Sequence, residues 1–274
     1  MSLKRKETMP MTPLYLCGTV DSVLDSAHAL VKEHCLPVWG GVLADSQHSG
    51  RGQLGRKWLS PPGNIYAALR LPLTKLFASS AAALVAGALL AEAFALHGIR
   101  LLLKWPNDLL LCRAAGSEAL QGVRVGKVGG ILLEERAGAL IAGIGINVAS
   151  APPCEHIRTG GLPAACLNEL SHIHIRSKDA LLETWSCLVD SFIICYHQWE
   201  KLGNNAWLAR LDRHLVWKGE QVLLDDGERH QGEFLGIAVS GGVRLLCDGV
   251  EKEFLHGNLS HVHYHAFSKG CRFR

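Results

Sequence analysis

"VGGILLEERAGALIAGIGINV", residues 128–148, sets two aliphatic runs of strand length on either side of Arg136, Ala137 and Gly138. Short apolar runs rich in Ile, Val and Leu and bounded by turn residues read as buried strands. Three more runs of this kind come earlier, "LPVWGGVLA" (36–44), "NIYAALRL" (64–71) and "RLLLKW" (100–105). Helical stretches fall near 24–34, 79–97 and 178–201. Strands interleaved with helices predict an α/β architecture, a mixed sheet with packed helices.

The most apolar segment, "ASSAAALVAGALLAEAFALHG" (78–98), approaches the length that spans a bilayer. Glu92 and the many alanines instead predict a helix buried on most sides, begun by Ser79 or Ser80 and ended by Gly98. No membrane association is expected. The N-terminal "MSLKRKETMP" carries charge with no apolar run behind it, so it predicts a frayed tail rather than a secretory signal. Nine cysteines, an odd number without a CxxC pair, are scattered among apolar neighbours and predict reduced, mostly buried thiols in a cytoplasmic protein. Twenty-eight basic against 25 acidic residues, a net charge of +3 over 274 residues, supply no electrostatic footprint for DNA.

After "NNAWLARLDRH" (204–214) the texture changes to short alternating runs broken by Asp-Gly and Gly-Gly, the pattern of a small antiparallel barrel. The expected division is a disordered tail over 1–13, a larger domain over 14–212, a small SH3-like unit over 213–266 and a tail over 267–274. The alternating histidines of "HVHYH" (261–265) lack a Cys or carboxylate at ligand spacing and predict a solvated edge strand.

"SGRGQLGRKW" (49–58) concentrates three glycines, Arg51, Arg56, Lys57 and Trp58 in ten positions. Such a segment reads as a loop suited to an anion, with an aromatic ring to cover what is bound. "GVRVGKV" (122–128) has glycines too closely spaced for a phosphate loop and Val128 where a hydroxyl is needed. "GIGIN" (143–147) lacks the third glycine of a dinucleotide fingerprint.

Four stretches in order, "QHSGRGQLGRKW" (47–58), "KWPND" (104–108), "KVGGILLE" (127–134) and "GIGINV" (143–148), resemble the biotin protein ligase family from about Leu24 onward. The resemblance implies a biotin/lipoate ligase-like catalytic domain followed by an SH3-like barrel. It also implies an ATP-dependent reaction in which biotin becomes biotinyl-adenylate and is passed to a lysine of a biotin carboxyl carrier protein. On this resemblance Lys127 is the first choice for a catalytic residue, its ammonium on carboxylate and phosphate oxygens. Arg51 lies near the acyl end, and Asp108 positions Mg²⁺ or the incoming lysine amine, as carboxylates near polyphosphate do.

The loop glycines Gly50 and Gly52, with Gln53, order over biotin and adenylate, Trp58 packs on the closed site, and Gly130 permits close approach. Asn107 and Asn147 make polar contacts to the nucleotide, while Ser26 and Gln47 hydrogen-bond the ureido ring. The family's Asp-Ser-Thr-Asn is matched to "DSAH" (25–28), where Ala27 and His28 predict a loss of about 1 kcal/mol per missing hydrogen bond. The family often has Arg at the position of Gln53, so one cation is missing near the adenylate. Alternatives are a lipoate or octanoate ligase of the same fold and a biotin-binding sensor without transfer. About 20 residues precede the first helix, too few for a helix-turn-helix, so no DNA partner is expected. A homodimer through the catalytic sheet is a further implication of the resemblance.

Overall fold

A computed structural model describes residues 12–112, 125–153, 161–170, 172–202 and 205–262. Its first half is a seven-stranded mixed sheet. Strand β1 (Leu14–Val20), helix α1 (Val23–Lys32) and strand β2 (Gly41–Gln47) form a parallel crossover. They are followed by β3 (Ile65–Leu71), helix α2 (Ala82–Ala95), β4 (Leu101–Lys104), β5 (Asp108–Cys112), β6 (Val125–Arg136) and β7 (Ala139–Ile146). The sheet order is β1-β2-β3-β7-β6-β5-β4. The two runs of residues 128–148 thus become a central antiparallel hairpin, Gly129 facing Ile146 and Arg136 facing Ala139.

Two helical layers sandwich the sheet, and the alternation of β3 shows why. Ile65, Ala67, Leu69 and Leu71 join the large core under α2 and α3 (Lys178–Glu200), whereas Tyr66 and Ala68 join the smaller core under α1. Successive side chains of a strand point to opposite faces, so a run apolar at every position is buried twice. Helix α2 buries 11 of its 14 residues, which accounts for an apolar segment without a membrane. Among the described residues, no helix is long and apolar enough to cross one. Its N-cap is Ala81 rather than a serine, although Ser79 Oγ accepts from Ala81 N at 3.3 Å. Gly98, at φ +77°, stands just past its end.

Helix α4 (Ala206–Asp212) leads into a second, antiparallel sheet with the order β11-β10-β9-β8-β12. Its strands are β8 (Gln221–Asp225), β9 (Arg229–Ile237), β10 (Val243–Cys247), β11 (Val250–Phe254) and β12 (Asn258–His261). This sheet docks on the first through backbone bonds of Leu103 to His214 and Val216, and through Trp105 Nε1, which donates to Gly241 O at 3.0 Å.

Several expectations shift. The run 36–44 is a strand only from Gly41, because Trp39 at φ +67° and a tight Pro37–Gly40 turn precede it. Strands β1 and β5 were not anticipated. His261 is not solvated: its side chain is 13% exposed and its Nε2 sits 2.8 Å from Glu220. His263 and His265 lie outside the described residues, as do residues 1–11, 122–124 and the expected tail 267–274. The seven described cysteines are all free, though only Cys187, Cys195 and Cys247 are buried.

Candidate active site

The first two-thirds of β6, the carboxyl half of β7, the glycine-rich loop and the turn before β5 surround a cavity of about 310 Å³. That size and a wall mixing apolar surface with a few polar groups are typical of a small-molecule site. Its floor includes three glycines of the hairpin, Gly130 opposite Gly145, and Gly143 opposite Leu132. A Cβ on Gly145 would sit 2.7 Å from the Trp58 indole, and one on Gly143 would sit 2.9 Å from Leu24. Absence of side chains here opens the room that Trp58 and Leu24 use.

Lys127 owes its place to a bulge. Leu109 pairs with Gly129 but Leu110 pairs with Lys127, so Val128 is the extra residue on β6. Bulges re-aim neighbouring side chains and recur beside active sites. Segment 163–165 pins the bulge: Lys127 N donates to Pro163 O at 2.7 Å and Ala165 N donates to Lys127 O at 2.9 Å. Lys127 Nζ then lies 2.6 Å from Asp108 Oδ1 and 5.4 Å from the Trp58 ring centroid.

Asp108 faces a second ammonium, Lys104 Nζ at 3.6 Å from Oδ2. Lys104 is 5% exposed and donates to Asn258 Oδ1 at 3.3 Å, so β12 of the second sheet reaches the same cavity. Lys104 and Asn258 were not anticipated. Lys104 could have been found as the first residue of "KWPND", but a lone lysine at a strand end ordinarily reads as solvated.

Asp108, expected to position Mg²⁺ or an incoming amine, lies between two ammonium groups. It is the one carboxylate among the described wall residues, and its two oxygens face ammonium groups. Mg²⁺ is ordinarily held by one or two carboxylates together with substrate phosphates, so Asp108 would serve it only with a polyphosphate in place. No group of three His, Cys, Asp or Glu suited to a metal occurs among the described residues. A carboxylate that already accepts an ammonium at 2.6 Å suits the other half of the expectation, a lysine amine.

Other expected contacts are redistributed by the fold. Ser26 is absent from the cavity wall, because its Oγ is 3.2 Å from Ser22 O, one turn back in α1. The hydroxyl that lines the cavity is Ser22, the N-cap of α1, 2% exposed, whose Oγ makes no hydrogen bond. The Asp-Ser pair at the site is therefore Asp21-Ser22 at the strand-to-helix junction, and Val23 and Leu24 follow it where Thr and Asn were looked for. The consequence drawn from Ala27 and His28 falls with that register.

Gln47 lines the cavity, yet its Oε1 accepts from Val23 N at 3.0 Å and its Nε2 donates to Ser60 at 2.9 Å. A carboxamide has two donor hydrogens and two acceptor lone pairs, so one of each remains for a ligand. Asn107 Nδ2 braces Ile131 O at 2.7 Å and Asn147 Nδ2 braces Ala165 O at 3.0 Å. Both amides serve first to hold the turn and the bulge in place. Gly50 lies outside the wall: a Cβ there would stand 2.6 Å from Trp58 O, so its role is close packing at the base of the loop. Gly52, Gln53 and Trp58 line the mouth. Trp58 Nε1, like Ser22 Oγ, is buried without a partner. Buried polar groups are ordinarily satisfied, so these two donors are exceptions, with Trp58 Nε1 enclosed against Gly145 rather than open to the cavity. Arg51 also reaches the wall, with its guanidinium 2.5 Å from Asp25 and 3.3 Å from Glu134.

Residues 31–150 match the model of the biotin/lipoate A/B protein ligase family. The chain is 33% identical over 219 residues to a biotin--[acetyl-CoA-carboxylase] ligase of Paracoccus denitrificans, covering 74% of this chain and 82% of that protein. It is 30% identical to the bifunctional ligase/repressor BirA of Escherichia coli K12, over 87% of this chain and 72% of the other. Among solved structures it is similar to a biotin protein ligase from Aquifex aeolicus in complex with biotin and ATP. The TM-score there is 0.68 at 28% identity, over 90% of this chain and 97% of that one.

Proposed function

This chain belongs to the biotin protein ligase family, and from that premise we propose that it joins biotin to a lysine of a biotin carboxyl carrier protein through a biotinyl-adenylate. The observation that carries the reading is the pair of ammonium groups, Lys127 and Lys104, held on Asp108 at the edge of a cavity lined by the unsatisfied Ser22 hydroxyl.

The first step brings a carboxylate oxygen onto the α-phosphorus of ATP, forming the O–P bond of a mixed anhydride and breaking the Pα–O bond to pyrophosphate, which leaves. Two anions must meet, and fixed cations in a water-poor site lower that barrier. Lys127, one-third exposed and beside the Trp58 ring, is placed to stay on these oxygens as charge shifts from one to the other. Ser22 and Gln47 offer a hydroxyl, a carboxamide hydrogen and a lone pair to the polar ring of biotin at the α1 end. In the second step the carrier lysine attacks the acyl carbon and AMP leaves. Asp108 receives that amine in exchange for one of its present ammonium partners. No step is assigned to a protein-bound magnesium.

Exchange of labelled pyrophosphate into ATP, run separately with biotin, lipoate and octanoate, tests the assignment. Exchange that depends on biotin alone is expected. Exchange with lipoate or octanoate but not biotin overturns it.

A further inference from the structure

Residues 50–57 make few bonds outside themselves. Gly52 N donates to Arg56 O, Arg56 N to Gln53 O, and Trp58 N to Gly50 O, which folds the loop on itself. Among the described residues, the hydrogen bonds that tie 50–57 to the rest of the fold all come from Arg51. Its Nη1 lies 2.5 Å from Asp25 Oδ2 and its Nη2 2.9 Å from Asp25 Oδ1, a forked pair onto α1. The same Nη2 reaches Glu134 Oε1 on β6 at 3.3 Å.

Arg136 closes the ring, with Nη2 2.6 Å from Glu134 Oε2 and Nη1 3.4 Å from Asp25 Oδ1. His28 packs beneath, its Nε2 3.6 Å from Glu134. Isolated surface ion pairs contribute little. This one is forked, alternates two guanidinium groups with two carboxylates, and includes Glu134 at 18% exposure, all of which favour a fixed geometry. Neither Asp25 nor Glu134 lines the cavity.

We propose that Asp25 and Glu134 are positioning residues that clamp the glycine-rich loop shut through Arg51, and so set how long the enzyme retains its acyl-adenylate. This rests on the adenylating activity proposed above. The clamp acts after the adenylate forms. Opening the loop exposes a reactive anhydride to water and to stray amines, whereas forming it depends on Lys127 and the cavity floor.

The test uses the full chain with Asp25→Asn, Glu134→Gln and the conservative Asp25→Glu. Single-turnover pyrophosphate release reads adenylate formation, and biotin labelling of an unrelated bystander protein reads escape. Asp25→Asn is expected to form adenylate within about twofold of wild type and to label the bystander about tenfold more, with Glu134→Gln in the same direction and Asp25→Glu close to wild type. Tryptic cleavage after Arg56 and Lys57 should quicken in parallel. Unchanged escape and unchanged cleavage in both neutral variants overturns the clamp, as does formation falling in step with escape. If wild type forms no adenylate with biotin, the functional reading fails, and cleavage alone still decides the clamp: faster in Asp25→Asn upholds it, equal rates overturn it.

Discussion

Lys127 and Asp108 meet at 2.6 Å across neighbouring strands, β6 and β5, because the extra residue Val128 turns Lys127 toward the carboxylate. Replacing Lys127 by Ala removes a cation whose partners are charges that develop during the reaction. Adenylate formation should fall by about 10²–10³-fold, as for loss of one electrostatic contact in a preorganised site. The side chain, one-third exposed, carries little packing, so the thermal midpoint should stay near that of wild type. Turnover at the wild-type rate would remove Lys127 from the catalytic group.

Asp108→Asn removes the carboxylate 3.6 Å from the buried Lys104 ammonium, 5% exposed. Weakened pairing of an ammonium in the interior should destabilise the fold by about 1–3 kcal/mol. Transfer to a carrier lysine should fall at least about tenfold more than adenylate formation, since the carboxylate serves the amine. Equal losses in the two half-reactions would contradict that division of labour.

Gln53 lines the mouth where the family often has arginine. A neutral amide lacks the charge-assisted fork of a guanidinium, so Gln53→Arg should slow escape of biotinyl-adenylate by about tenfold. Bystander labelling by the two forms measures this. Identical labelling would mean that Arg56 or Lys57 already supplies the charge.

Gly145→Ala would place a methyl 2.7 Å from the Trp58 ring. The indole must swing off the floor, at a cost of about 1–3 kcal/mol. A shifted Trp emission and a raised KM for biotin are the expected signs, against Gly18→Ala, where an added Cβ meets nothing within 4 Å, as a control. Unaltered emission would show that the floor has slack.

His28 lies beneath the ring of Arg51, Asp25, Glu134 and Arg136, its Nε2 3.6 Å from Glu134. Burial holds its imidazole below the usual histidine value, Arg136 adds to the effect, and Glu134 and Asp25 only partly oppose it. With the folded pKa below the unfolded value of about 6.5, the unfolded chain binds more protons between the two. The contribution to stability is complete above pH 6.5 and is lost as pH falls toward the folded pKa. The thermal midpoint of wild type should therefore drop more between pH 7.5 and 5.5 than that of His28→Gln. Parallel curves would exclude His28 as a source of the pH dependence.

Much of this protein is legible in one dimension. The strands at 64–71, 100–105 and 128–148, the helices near 79–97 and 178–201, and the change of texture after α4 follow from apolar periodicity and turn residues, which act over a few positions. The glycine-rich loop stands out because glycine and charge are conspicuous locally, whereas "KWPND" and "KVGGILLE" become site motifs only through the family resemblance. Strands β1 and β5 escaped, being short or, in β1, mostly half-buried at a sheet edge.

What the tertiary structure alone decided is pairing. "DSAH" (25–28) and "DSVL" (21–24) offer equally plausible Asp-Ser pairs, and only the junction of β1 with α1 puts Ser22 rather than Ser26 on the cavity. Asp108 meets two lysines, Asn107 and Asn147 brace the turn and the bulge while lining the cavity, and Asn258 arrives from a distant strand. These outcomes depend on which strands lie side by side and on a one-residue bulge. Periodicity and motif spacing report each element's own faces, and carry no information on the neighbour that a given side chain will meet.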